Sequence, residues 1–370
     1  MAFLLLHNYM DFIKNAFSIV KNLTLLEKRL ICIKKLYVGA RLLNFNSEVN
    51  QIMVIPEGYY LLSKKNKLPE FFNDQVVTLE LGNITIDGIR RSNYIYKEHS
   101  HDQVQSQGYP IDNRISDAEL GIKLVKQFDG EMNRFLNALW FVKDNSVCCD
   151  GSQYINSVSK VTLYSSGGEF FSNGSGGLSD VEFSEEELEE AEDWFDLITE
   201  HAVMRTIGDV NYRDIMTIGK DGKEKVNLSS FSRSLLYLNS ARKSGFIPGK
   251  ISLYTSILET LFAVKKDNTR KVSERLSIFI GDSDDETELI YKNMKKLYDI
   301  RSSYVHGSDL RNMLERQLID YSLILDTYVR KAMKKTLSDY TELNYGKGTN
   351  KNFKKVDQWF EELVTSYSNR

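Results

Sequence analysis

The chain has 370 residues, 42% of them hydrophobic, with 4 prolines, 3 cysteines and a formal net charge of −3. That is enough to bury a sizeable core and, on length, to form about two domains. There is no apolar run of membrane-spanning length, and the opening Phe3-Leu4-Leu5-Leu6 is interrupted by His7, Asp11 and Lys14 without a basic leader or a small-residue cleavage site. Cys32, Cys148 and Cys149 form neither a C-x-x-C nor an even framework. The expectation is a cytoplasmic protein that is neither secreted nor a disulfide scaffold.

In chain order, Leu23, Leu26, Leu30, Ile33 and Tyr37 recur at three- and four-residue spacing and predict helix. Short β-branched or aromatic runs at 51–55, 58–62, 76–81 and 83–86 predict strands, followed by an apolar helix over 120–142 and a last strand at 160–164. Ser165-Ser166-Gly167-Gly168 and Ser172-Asn173-Gly174-Ser175-Gly176-Gly177 predict a linker or a mobile loop. Ser184 and Glu187 then make a capping box that starts a Glu-rich helix reaching position 208. Helices follow at 228–244, 250–264, 271–280, 287–306 and 312–339, separated by Gly245, Pro248-Gly249, Asp267-Asn268 and 281–285. The fold class expected is an α+β N-terminal domain over 1–180, of sensor or regulatory type, then an all-α helical bundle over 181–345 and a tail helix over 346–370. No internal repeat is visible.

Charge is uneven along these parts. Residues 1–225 carry 24 Lys and Arg against 33 Asp and Glu, and residues 226–370 carry 24 against 18. A mildly basic second half is compatible with a polyanionic ligand, although sequence-independent nucleic-acid binders carry a far larger excess.

That half holds Tyr298-Asp299-Ile300-Arg301-Ser302-Ser303-Tyr304-Val305-His306-Gly307. Arginine grips a phosphate as a planar, permanently charged fork, and histidine moves protons near neutral pH. The apolar stripe Ile290, Met294, Leu297 and Tyr304 or Val305 runs through position 301, where a permanent charge is costly unless it is paired or faces an interface. His306 closes the helix before Gly307, at the end where the dipole favours positive charge. Five residues turn the two side chains about 140° apart on an ideal helix, so they do not share a face: either the long arginine leans toward the helix end, or one copy carries half a site and two facing copies bring both pairs into one cleft.

The stretch resembles the R-x4-6-H signature of HEPN domains, and its wording is similar to the Apea-like branch associated with anti-phage defence. Ile257-Leu258-Glu259-Thr260-Leu261-Phe262 resembles that branch's LExLF helix, and Lys271-Val272-Ser273-Glu274-Arg275-Leu276 the helix that follows. The resemblance covers residues 226–340 and leaves the N-terminal half unmatched. It implies a HEPN-like bundle and a homodimeric, metal-independent endoribonuclease with no cofactor, cleaving RNA, tRNA included, in answer to a phage-derived trigger. Arg301 would hold the scissile phosphate, His306 would move the protons, Ser302 would orient either group, and Glu259 or Arg275 would hold the pair in place. Apart from the resemblance, the Tyr304 ring is of a kind that can stack on a base. The alternative is a non-catalytic HEPN module that binds RNA, a nucleotide or a partner protein.

Simpler readings stand beside these. Arg301, Arg275 and Glu259 fit a structural ion-pair network, His306 an ordinary helix cap, and Tyr304 a core position. His99-x-His101-Asp102 has the spacing of a partial metal site without a third ligand, and Cys148-Cys149 reads as two small buried hydrophobes. The acidic run 185–193 and Lys331, Lys334 and Lys335 read as solvated faces, the lysines with an RNA-backbone role as the other option. Nucleotide-binding G-x-x-x-x-G-K and G-x-G-x-x-G patterns are absent.

Overall fold

The structure, a computed structural model, describes residues 35–47, 53–55, 58–64, 68, 70–73, 75–100, 117–156, 162–164, 168, 170–201, 216–218, 224–226, 228–262, 267–307, 313–340 and 350–369. Among them the chain is mostly helical, with a small antiparallel sheet in the N-terminal part and a helical C-terminal region. The strands β1 (Lys35–Leu43), β2 (Phe45–Ser47), β3 (Met53–Ile55) and β4 (Tyr59–Leu62) precede helices α1 (Gln75–Leu81) and α2 (Asn83–Arg90). Strand β5 (Asn93–Ser100), helix α3 (Asp117–Val142) and strands β6 (Cys148–Asn156) and β7 (Thr162–Tyr164) follow. The sheet order is β3-β4-β5-β1-β6-β7, with every pairing antiparallel.

Period-two alternation in β1 decides which face meets what. Leu36, Val38, Ala40 and Leu42 join Leu124, Phe128 and Phe135 of α3, while Tyr37 joins Val77, Leu81, Ile86 and Ile89 of α1 and α2 on the other face. Gly39 is required at its position, because a Cβ there would lie 2.6 Å from the Tyr94 hydroxyl oxygen and 2.8 Å from the Ile95 carbonyl.

Two sequence expectations fail here. The runs 76–81 and 83–86 are helical, and Tyr37 lies in β1. Val77, Leu81, Ile86 and Ile89 bury a single stripe against Tyr94 and Tyr96, so packing on the sheet outweighs the β propensity of Val76, Val77 and Thr78. The remainder of the expected first helix lies outside the described residues.

The second part comprises β8 (Val181–Phe183), α4 (Glu185–His201), β9 (Met216–Ile218), β10 (Glu224–Val226), α5 (Ser230–Lys243), α6 (Ile247–Leu261), α7 (Asn268–Ile280), α8 (Asp284–Val305), α9 (Glu315–Ser338) and α10 (Asn350–Ser368). Strands β9 and β10 pair antiparallel, and β2 pairs parallel with β8. The stacked rings of Phe45 and Phe183, with centroids 5.5 Å apart, join β2 to β8 across position 180. One continuous core extends from β1 through α3 to α9, and Phe141 meets both Trp194 and Phe231.

Of the two glycine-rich segments expected to be a linker or mobile loop, 172–177 is a docked wedge, and 165–167 lies outside the described residues. Ser172 Oγ donates to the carbonyls of Arg242 and Ser244, at 2.9 and 2.8 Å. Gly174 N donates to the Asp144 carboxylate at 2.9 Å, and the Gly174 carbonyl accepts from Ser322 Oγ at 2.6 Å. Asn173 Oδ1 takes the amides of Ser175 and Gly177, which closes the turn internally. Its composition permits flexibility, but its polar groups are satisfied by both parts of the chain.

Candidate functional site

Helix α8 carries the Arg/His element. Ser283 caps it by accepting from Glu286 N at 3.2 Å, and Asp284, Asp285 and Glu286 place negative charge in the first turn. Ile290, Met294, Leu297, Tyr298 and Ile300 bury its inner face. Arg301 sits at the edge of that face, its side chain 28% exposed.

The arginine is held by the neighbouring helix. Its Nη2 donates to Glu259 Oε2 on α6 at 3.2 Å, and Tyr298 Oη donates to Glu259 Oε1 at the same distance. The guanidinium carbon lies 5.9 Å from the Tyr298 ring centre. Glu259 therefore spans two α8 side chains three residues apart, on one helix face. Burial, with the Glu259 charge adding to it, pushes the Tyr298 hydroxyl well above the usual phenol range and keeps it a proton donor. Nε of Arg301 is buried and has no partner among the described residues. One edge of the guanidinium is thus fixed by Glu259.

His306 is exposed and forms the C-cap of α8, its amide donating to the Ser302 carbonyl at 3.0 Å. Gly307 follows at φ +69°, the left-handed conformation that ends the helix. Ser302 is exposed beside Arg301. Tyr304 is exposed too, and its ring centre lies 5.7 Å from that of Phe246, at the start of α6. The arrangement offers a restrained cation, a solvent-facing imidazole and an exposed aromatic pair around the last turn of one helix.

The structure brings Arg301 and Glu259 together and leaves Arg275 elsewhere. Arg275 is buried on α7, donating to the Phe262 carbonyl at 2.6 Å and pairing with Asp357 and Glu361 of α10 at 2.5 and 2.6 Å. It fastens the tail helix and the end of α6, and its bonds do not reach Glu259 or Arg301. Tyr298 and Phe246 were not singled out in the sequence. The first had a local signal, three residues before Arg301; the second meets Tyr304 only through tertiary packing.

Other candidates resolve structurally. His99 is buried, and desolvation, reinforced by the Lys97 charge and only partly offset by Glu131, pushes its imidazole down to about 4. His101 and Asp102 lie outside the described residues. Cys148 is buried and Cys149 half-buried, and burial pushes both thiols up, away from thiolate chemistry. Of the acidic run and the lysines, read as solvated, Lys334 pairs with Glu190 at 2.8 Å; Lys331 pairs instead with Glu286 of α8 at 3.1 Å, and Lys335 donates to the Phe279 carbonyl at 2.7 Å.

A buried polar cluster lies where the two parts meet. Asp326 accepts from Trp140 Nε1 at 2.8 Å and Tyr254 Oη at 2.6 Å, and it pairs with Arg330. Arg242 donates to the Leu136 carbonyl at 2.8 Å and to Asn145 Oδ1 at 3.0 Å. Lys250 Nζ donates to the Ser172 carbonyl at 3.3 Å, and burial pushes its ammonium down to about 8. These groups bond to one another and to the glycine-rich wedge, while the Nε atoms of Arg242 and Arg330 are buried without a partner among the described residues.

Among the described residues no group of three or more His, Cys, Asp or Glu converges as a metal site, and no helix is long and apolar enough to cross a membrane. No family model, curated protein or solved structure matches the chain.

Proposed function

We propose that this chain is a metal-independent endoribonuclease of HEPN type that acts as a homodimer through its helical C-terminal part. The observation that carries the reading is Arg301, held by Glu259 and Tyr298 at the edge of the core, little more than one helical turn from an exposed His306. Transesterification needs a base to take the proton of the RNA 2′-hydroxyl as its oxygen attacks phosphorus, and an acid to protonate the departing 5′-oxygen. Each copy carries one imidazole at this helix end. Two copies with their α8 ends facing supply both His306 groups, and the two guanidiniums offset the charge that develops on the phosphoryl oxygens. The products are a 2′,3′-cyclic phosphate and a 5′-hydroxyl. Ser302 lies next to the arginine and orients the phosphate or the imidazole. In this reading the protein is a cytoplasmic anti-phage effector that cleaves RNA such as tRNA, and its N-terminal part restrains the nuclease until a phage-derived trigger binds.

The test is incubation of the purified chain with tRNA and total RNA in EDTA. Cleavage is expected to survive chelation and to fall by at least about a hundredfold in Arg301→Ala and in His306→Ala. Cleavage that both variants retain sinks the site assignment. A second reading is favoured by the Arg301–Glu259 ion pair itself, which partly neutralises the cation: a non-catalytic HEPN module that binds RNA, a nucleotide or a partner protein. RNA binding that depends on Arg301, with no cleavage by any preparation, identifies that case.

A further inference from the structure

The aromatic pair beside Arg301 has no structural duty that explains its exposure. Phe246 is 60% exposed and Tyr304 is 42% exposed, in contact with each other at the ends of different helices. Their rings are tilted by 58°. Gly249, in the first turn of α6, lies against both: a Cβ there would sit at ordinary contact distance, 3.5 Å from Phe246 Cδ1 and 3.4 Å from Tyr304 Oη. Tyr304 is three residues from Arg301, so the two side chains are surface neighbours on α8, with Cβ atoms about 5–6 Å apart. A ring and a phosphate-binding fork at that separation match the base and phosphate of one nucleotide.

We propose that Phe246 and Tyr304 form a stacking platform for an unpaired base next to the phosphate held by Arg301, which makes single-stranded RNA or a loop the preferred substrate. The inference rests on the nuclease reading above and deepens it. Aromatic faces accept any base, so the platform selects for unpaired geometry rather than for sequence. A paired base has its faces covered by its neighbours in the duplex and cannot reach the rings. An unpaired nucleotide can also rotate its 2′-hydroxyl in line with the scissile bond, which a regular A-form duplex resists. Tyr304 is a surface neighbour of the Arg301 guanidinium, and a ring beside a cation suits a nucleotide with its phosphate.

The experiment uses the full-length His306→Ala chain, in which cleavage is suppressed, and a short single-stranded RNA carrying one 2-aminopurine, in EDTA. Binding is expected to quench the 2-aminopurine fluorescence. Phe246→Leu and Tyr304→Leu, which keep apolar bulk without an aromatic face, are each expected to weaken binding about tenfold. Phe246→Tyr restores it, and the same RNA annealed to its complement binds more weakly. Both side chains are exposed, so circular dichroism should show an unchanged fold. Unchanged affinity and quenching in both leucine variants overturn the platform. So does a loss of self-association by sedimentation with RNA binding intact, which would make the patch a contact between copies. If those variants bind normally while EDTA-resistant cleavage still depends on Arg301 and His306, the platform falls and the nuclease reading stands. If the chain neither binds nor cleaves RNA, both fall.

Discussion

Asp326 is a heavily engaged carboxylate of the core: it is 1% exposed and serves Trp140, Tyr254 and Arg330 at once. Removing one partner of a buried charged group costs more than the pair contributed, because the others lose their acceptor without regaining water. Asp326→Ala is therefore expected to destabilise the chain by about 3–5 kcal/mol in urea unfolding. Asp326→Asn, which keeps an acceptor, should cost less. A second residue couples stability to pH. His99 titrates at about 4 in the folded chain and at 6.5 unfolded, so the unfolded chain binds the proton more tightly. The stability from keeping His99 neutral is complete above pH 6.5 and declines as pH falls toward 4. Between pH 7 and pH 5 the loss should be about 2 kcal/mol, and His99→Gln should remove that part of the slope. An identical slope in the variant would assign it to other groups.

At the scale of the element, the glycine-rich wedge makes a prediction that its composition alone does not. Gly176 has φ +79°, and a Cβ there would come within 2.7 Å of the Gly245 carbonyl and 2.8 Å of Ile247 Cδ1. Gly177 has an ordinary φ and nothing closer than 3.4 Å. Gly176→Ala should cost about 1–3 kcal/mol, while Gly177→Ala should stay within about 0.5 kcal/mol. Equal effects would mean that the wedge opens freely in solution. The wedge also marks where sequence reading stops. Helices α5 to α9 were legible within about three residues at most boundaries, because caps, glycines and apolar periodicity are local signals. The docking of Ser172 and Gly174 was not, since their partners Arg242, Asp144 and Ser322 are remote in sequence. The same division holds at the site. Arg301 and His306 were visible as a five-residue spacing, but the bond from Arg301 to Glu259 and the contact of Phe246 with Tyr304 exist only because α6 packs on α8.

At the scale of the whole molecule, the unit that acts is the question, and the chemistry of the proposed reaction makes it measurable. If one cleft uses the two His306 groups of two copies, one as base and one as acid, a dimer with a single His306 lacks half of the proton transfer. Mixing equal amounts of the native chain and His306→Ala, with time for subunits to exchange, leaves only about half of the native protomers in all-native dimers. Activity per native protomer should then fall to about half of its unmixed value, and further as the variant is added in excess. Independent sites give a different result: each native protomer keeps its full activity at every mixing ratio. Sedimentation of the native chain at the assay concentration separates the remaining case. A monomer whose activity per native protomer does not change on mixing would place Arg301 and His306 in a one-chain site. The angle of about 140° between them would then have to be bridged by the reach of the arginine side chain rather than by a second copy.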